Sequence, residues 1–253
     1  MYDLQRASMW KRMSAWLFDF IIFAIIAVGC VLVFAKIIRY DDKLENYKAH
    51  YTRYAEEFGI DLEISKEDYE ALSDDMKLRY DVAEELFSKD AEVYRDYSIL
   101  FALTILSVSI GILLSFLIWE FMIPLILGNG QTLGKKFFGV GVMRVDGVKV
   151  TPVIMFIRTV LGKFAVETMI PIYIIIQLLL GSAGIISIAL LILIPIFQLI
   201  MYFTSRTGSM IHDALSQTVT VDLASQMIFD TKEDLLAYKK KVHKEIVDSA
   251  DYK

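Results

Sequence analysis

The sequence predicts an all-α integral membrane protein with four transmembrane helices, an extracytoplasmic helical hairpin and a small cytoplasmic β-hairpin cap. Three observations predict it. Four apolar runs lie in 253 residues that are 56% hydrophobic, and each run is near the roughly 17–25 residues that cross a bilayer as helix. Charge is segregated: residues 39–96 hold 9 basic and 18 acidic side chains, whereas 128–152 hold 4 basic and 1 acidic. The stretch GVMRVDGVKVT alternates about an Asp146-Gly147 pair, the dipeptide that favours a tight hairpin turn.

Residues 1–38 form the cytoplasmic N-terminus and the first membrane helix. Arg6, Lys11 and Arg12 precede the apolar run as they would in a signal peptide. The run Trp16–Ile38 has 23 residues, longer than a signal core, and no small-x-small cleavage site ends it. It is expected to be retained. Cys30 is the single cysteine, so no disulfide forms within the chain.

Residues 39–97 are the acidic extracytoplasmic hairpin. Tyr40, Leu44, Tyr47, Tyr51, Tyr54 and Phe58 recur at helical spacing, and GIDLEIS interrupts them. Ser65 with Asp68 resembles an N-terminal cap. Met76, Tyr80, Ala83 and Phe87 make a second stripe, expected to continue into the next membrane helix. That helix occupies 98–127. Glu120 and Pro124 break its apolar run, so Ile99–Trp119 is expected to span, with Trp119 as an interfacial aromatic.

Residues 128–163 form a loop with a short amphipathic helix LGKKFFG, capped by Thr132, and then the hairpin. TVTVD (218–222) is a candidate third strand. GNGQTLGK superficially resembles a phosphate loop, but Asn129 stands where the first glycine belongs and Lys136 where Ser or Thr belongs. Residues 164–204 hold membrane helices three and four, about Phe164–Leu180 and Ile185–Phe203, joined by a GSAG turn. Residues 205–222 begin with a short helix capped by Ser209 and end in the strand. Residues 223–253 are an amphipathic C-terminal helix capped by Asp230 and Glu233. Its Leu235, Tyr238, Val242 and Ile246 share one side; it rests on the inner leaflet, binds a partner, or packs as a soluble tail. The positive-inside rule places 128–163 and both termini in the cytoplasm.

Arg12, Ala15 and Asp19 in the first helix, TLGKKFFGVGVMRVDG in the middle, Arg158, and IHDALSQTVTV after the last helix resemble the RDD family of bacterial membrane proteins. The resemblance covers 1–38 and 98–222, and assigns the arginine and two aspartates that name the family to Arg12, Asp19 and Asp213. It implies an inner-membrane protein of a family whose members are linked to sodium/proton exchange or act as accessory proteins. The long segment 39–96 and the tail 223–253 depart from the usual family pattern.

Asp19 lies about one turn inside an apolar helix. A carboxylate at mid-bilayer costs roughly 2.5–3.5 kcal/mol, less near the interface. Arg12, seven residues earlier, is offset by about 10.5 Å of helix rise, too far for a short direct contact. Arg158 and Lys163 are the best partners in sequence. The expected site is therefore one polar cluster of Arg12, Asp19, Glu120, Arg158 and Glu167, with Asp213 beneath it. Lys135, Lys136 and Lys163 are expected to face anionic headgroups. His212 is read as a surface or network residue.

The cluster supports two functions. One is cation- or proton-coupled transport, with a monovalent cation or proton as cargo and a homo-oligomer to enclose the path. The other is a non-transporting accessory, regulatory or scaffold subunit bound to another membrane protein. The lipid bilayer is a partner in both, and a net charge of −5 argues against nucleic acid. No catalytic motif, metal-ligand spacing or cofactor signature is present, so no enzyme activity and no cofactor are expected.

Overall fold

The computed structural model describes residues 5–180 and 184–250, so 181–183 of the expected GSAG turn lie outside it. The described chain is mostly helical, with one two-stranded sheet. It divides into two compact units, one comprising Met1–Ala27 with Ile112–Lys253 and the other Val28–Gly111. Among the described residues, two helices are long and apolar enough to cross a membrane, Met9–Ile37 (α1) and Ala91–Leu127 (α5).

The unit Val28–Gly111 contains α2 (Tyr40–Phe58), α3 (Lys66–Ala71) and α4 (Asp74–Lys89). The expected aromatic stripe closes this hairpin. Phe87 meets the rings of Tyr51 and Tyr54 at centroid distances of 4.5 and 5.3 Å, and Ala83 is fully buried. Ser65 Oγ accepts from Asp68 N at 3.1 Å, as its spacing predicted. The second stripe does not run on into the membrane helix. Asp90 separates α4 from α5 because its Oδ1 accepts from Glu92 N at 2.8 Å and caps the new helix. Asp90 also accepts from Tyr54 at 3.0 Å, so the break is held by the hairpin it ends. A Cβ on Gly111 of α5 would lie 2.9 Å from the Val31 backbone of α1, so glycine permits that close approach.

In the other unit α5 changes pitch. Phe116–Met122 winds as π-helix before Ile123–Leu127 resumes the α form. Pro124 brings no N–H to this ladder, and the carbonyl of Glu120, four residues back, accepts instead from Thr159 Oγ1 at 2.9 Å. Trp119, expected as an interfacial aromatic, is 4% exposed; the wider π turn rotates it inward.

α6 (Leu133–Phe137) and β1 (Val140–Arg144) follow. The expected hairpin contracts to a turn, with Met143↔Lys149 as an isolated bridge. β1 pairs instead with β2 (Thr218–Asp222), antiparallel in the register Val142↔Thr220. The third-strand candidate is thus the principal partner. The second arm of the turn is diverted because Lys149 N donates to Phe229 O at 2.9 Å. On the far edge Arg6 bridges Val221. Met143, Val219 and Val221 fill the small core beside this sheet.

α7 starts at Pro152–Phe156 and continues as π-helix through Ile157–Glu167. The third apolar run therefore does not form one helix from Phe164. The chain turns at Thr168–Met169, where Met169 has φ 59°, and α8 (Ile170–Leu180) begins with Pro171 in its first turn. α9 spans Gly184–Thr204 with Pro195 inside. α10 (Ile211–Leu215) is capped by Asp213, whose Oδ2 accepts from Met210 N at 3.4 Å, and not by Ser209. α11 (Lys232–Ala250) is capped one residue later than expected, by Thr231 and Asp234, each side chain accepting from the other's backbone N–H at 3.1 Å. Leu235 and Tyr238 of α11 pack on Val148 and Phe229, while Ile246 stays exposed.

Candidate functional site

The predicted residues do not meet at one point. They form four adjoining contacts, all within the unit that carries the sheet. Asp19 is the first. It is 4% exposed, yet none of Arg12, Arg158 and Lys163 is its hydrogen-bond or ion-pair partner. Its Oδ2 accepts from the Thr132 hydroxyl, and its Oδ1 accepts from Gly134 N at 2.9 Å. Thr132 does occupy the position before α6, but its side chain makes no cap of its own. Asp19 caps that short helix from α1 instead, satisfying a first-turn N–H that has no partner within the helix. The approach is tight: a Cβ on Gly134 would lie 2.5 Å from Ala15 O and 2.8 Å from Asp19 Cγ. Ala15, Asp19, Thr132 and Gly134 are thus one packing unit.

Glu120 is the second centre. Its Oε2 lies 2.8 Å from Lys163 Nζ and 3.2 Å from Lys135 Nζ. Both lysines are mostly buried, at 14% and 13% side-chain exposure, so they line a protein contact and do not face headgroups. Burial lowers the Lys135 pKa, and the Glu120 charge restores it only in part. Lys136 remains exposed.

Arg158 and Asp213 are the third. The guanidinium, 4% exposed, donates to Asp213 Oδ1 and to Thr218 Oγ1. Arg12 approaches the other oxygen of Asp213 at 3.7 Å. Arg12 also donates to Gly208 O at 2.8 Å and lies 5.1 Å from the centroid of the Tyr202 ring. Burial alone would raise the Asp213 pKa; Arg158, His212 and Arg12 outweigh it and hold the carboxyl well below the usual carboxylate range. Asp213 therefore joins α1, α7, α10 and β2.

Glu167 and His212 are the fourth. Glu167 Oε1 lies 2.6 Å from His212 Nδ1 and accepts from His212 N at 3.1 Å. His212 Nε2 is 3.7 Å from Asp213 Oδ2, so the imidazole stands between two carboxylates. Burial depresses the His212 pKa, and the flanking carboxylates do not fully recover it. α10 reaches this place because Gly162 has no side chain; a Cβ there would be 2.7 Å from His212 Cα.

Glu120 and Asp213 thus meet two cations each, Glu167 meets the His212 imidazole, and Asp19 is held by neutral donors alone. Breaking a buried pair costs about 3–5 kcal/mol because it strands a charge. Residue spacing marked Thr132 only as a helix cap and did not reveal Gly134, Thr159, Gly162 or Thr218, which with it make the contacts specific. The available signal was the T-x-G of TLGK beside the A-x-x-x-D of α1. A fifth tie, Lys11 to Asp222 at 2.7 Å, fastens the start of α1 to β2. Among the described residues no group of three or more His, Cys, Asp or Glu is placed to hold a metal ion.

No curated protein and no solved structure matches the chain. The RDD family matches residues 6–217, a stretch that contains every residue of the four contacts except Thr218. With that match over most of its length and two helices apolar enough to cross a bilayer, the chain belongs to the RDD family and is a membrane protein.

Proposed function

We propose that this protein is a non-transporting membrane scaffold, an accessory or regulatory subunit whose polar network locks a small cytoplasmic cap onto its membrane helices. The observation that carries this reading is the seat of Asp19. A carboxylate that accepts a hydroxyl and a backbone N–H in a 4%-exposed site is a structural acceptor. A carrier carboxylate has to exchange its proton or cation with solvent. The other three carboxylates are likewise bonded to fixed partners on neighbouring elements.

The topology of this reading has four crossings with both termini cytoplasmic. Residues 6, 140–144 and 218–222 pair in one small sheet, which supports an even number of crossings between them. The reading assigns one such pair to α1 and α5, which are long and apolar enough to span, and the other to the apolar helices α8 and α9. The basic loop 128–163 orients the sheet toward the cytoplasm.

The experiment is proton flux in sealed vesicles holding the purified full chain, driven by sodium or potassium gradients. The expected result is no flux above empty vesicles. Cation-driven proton movement that disappears in Asp19→Asn, with the variant folded, overturns the scaffold reading.

A proton-transport reading retains one specific observation, the His212 imidazole between Glu167 and Asp213. In that case His212→Gln abolishes flux while Asp19→Asn leaves it intact.

A further inference from the structure

We propose that two copies of this chain associate through α4, as an antiparallel helix pair crossing on a two-fold axis at Val82. The inference stands on the hairpin unit alone and does not depend on the scaffold reading. α4 has two apolar faces. Tyr80, Ala83 and Phe87 turn inward, with Phe87 against α2 and Ala83 fully buried. Leu78, Val82 and Leu86 form a second stripe at four-residue spacing, and they are 64%, 42% and 48% exposed. On a helix that residue spacing makes one continuous ridge, and a soluble helical hairpin has no need of it.

The charges beside the ridge select the occupant. Asp75 pairs with Arg79 along the helix, and Glu85 with Lys89, and all four side chains are more than half exposed. Counted from Val82, Leu78 and Leu86 are each four positions away, Arg79 and Glu85 three, and Asp75 and Lys89 seven. Running a second α4 antiparallel through Val82 therefore sets Leu78 against Leu86 and Arg79 against Glu85. The same operation sets Asp75 against Lys89. Each of these opposed pairs along the ridge is apolar with apolar or opposite in sign, and each contact off the axis occurs twice, as an isologous interface requires. A parallel pairing would set Asp75 on Asp75 and Arg79 on Arg79. The stripe is thus self-complementary in one orientation, the property that distinguishes a second copy from an unrelated partner.

The test is made on the full chain in its native membrane, in a Cys30→Ser background. Val82→Cys lies on the axis and forms a disulfide-linked dimer under mild oxidation. Glu84→Cys, exposed on another side of α4, does not. Arg79→Glu lowers dimer formation about tenfold, and adding Glu85→Arg restores it. Residues 79 and 85 lie about 9 Å apart along one helix and on different sides, so restoration reads only pairing between chains. Equal crosslinking at 82 and 84, a Val82→Cys protein that remains monomeric, or failure of the double variant to recover would each overturn the proposal. So would quantitative crosslinking of Val82→Cys to a different protein.

Discussion

Asp19→Ala and Asp19→Asn have opposite expected outcomes, and the difference is set by what the carboxylate accepts. Alanine removes both acceptors. The Thr132 hydroxyl and the Gly134 N–H are then buried without partners, each costing about 1–3 kcal/mol. The sum is about 2–6 kcal/mol, and a chain of this size loses about 2–4 °C of melting temperature per kcal/mol. Asparagine keeps an oxygen for Gly134 N, and its amide donates to Thr132, whose hydroxyl reverses its role. What remains is the difference between a charge-assisted and a neutral hydrogen bond, about 1 kcal/mol. Removal of a charge from the lipid region offsets that loss, since the charge costs up to about 2.5–3.5 kcal/mol at mid-bilayer.

The assay is the temperature at which the detergent-solubilised full chain loses its folded peak on size exclusion. Asp19→Ala falls by about 4 °C or more, and Asp19→Asn stays within about 2 °C of the parent. If Asn is as damaging as Ala, the charge itself is required and the capping account fails. If Ala matches the parent, Asp19 does not sit on α6 at all.

Four further outcomes follow from the same geometry. Gly134→Ala drives a methyl to within 2.5 Å of Ala15 O, and should cost about 1–3 kcal/mol, read in the same melting assay. Thr159→Val leaves the Glu120 carbonyl short of a donor; Pro124→Ala returns an N–H, so the double variant should recover about 1 kcal/mol of coupling. Arg158→Met strands Asp213 with Arg12 at 3.7 Å as its nearest permanent charge, and should cost about 3–5 kcal/mol, seen as loss of folded protein at 37 °C. Acidification should destabilise the chain. The folded-state pKa of His212 is depressed, so its contribution is complete above about pH 6.5 and is lost below it at up to about 1.4 kcal/mol per pH unit. Asp213, also depressed, adds its loss only in stronger acid. His212→Gln should flatten the melting temperature between pH 7 and 5, and an equally steep parent and variant would contradict that assignment.

Much of the fold was legible because its signals are local. The Tyr51–Phe87 side of the hairpin is written in helical spacing, and Ser65 caps α3 from three residues away. The misreadings share a cause: a local rule met a longer-range contact. Asp146-Gly147 does make its turn, but the second arm is drawn to Phe229, 80 residues on. Thr132 stands where a cap belongs, yet its hydroxyl turns to Asp19. Phe164–Leu180 is apolar enough for one helix, but Glu167 leaves the membrane-facing set to meet His212, and the chain turns at Met169. The cluster members were found because charges in apolar runs are conspicuous. Their partners were missed because threonine and glycine carry no such signal.

Arg12 pairs with Asp213 while Asp19 stands apart from both, yet the three residues that the resemblance assigns to the family's arginine and two aspartates have one consequence. Arg12 and Asp19 lie on α1 and bind different elements: Arg12 reaches Gly208 and Asp213, which follow α9, while Asp19 holds α6 just after α5. α1 therefore contacts both chain segments that lead into the sheet. Asp213 closes the circuit through Arg158 and Thr218, the latter being the first residue of β2. On the scaffold reading, assembly of the cap is expected to depend on correct packing of the membrane helices. On the scaffold reading proposed above, such a cap reports to a partner that the membrane domain is intact. Under the same reading, opening of Asp19 or Asp213 would release the contact it makes with α6 or with β2.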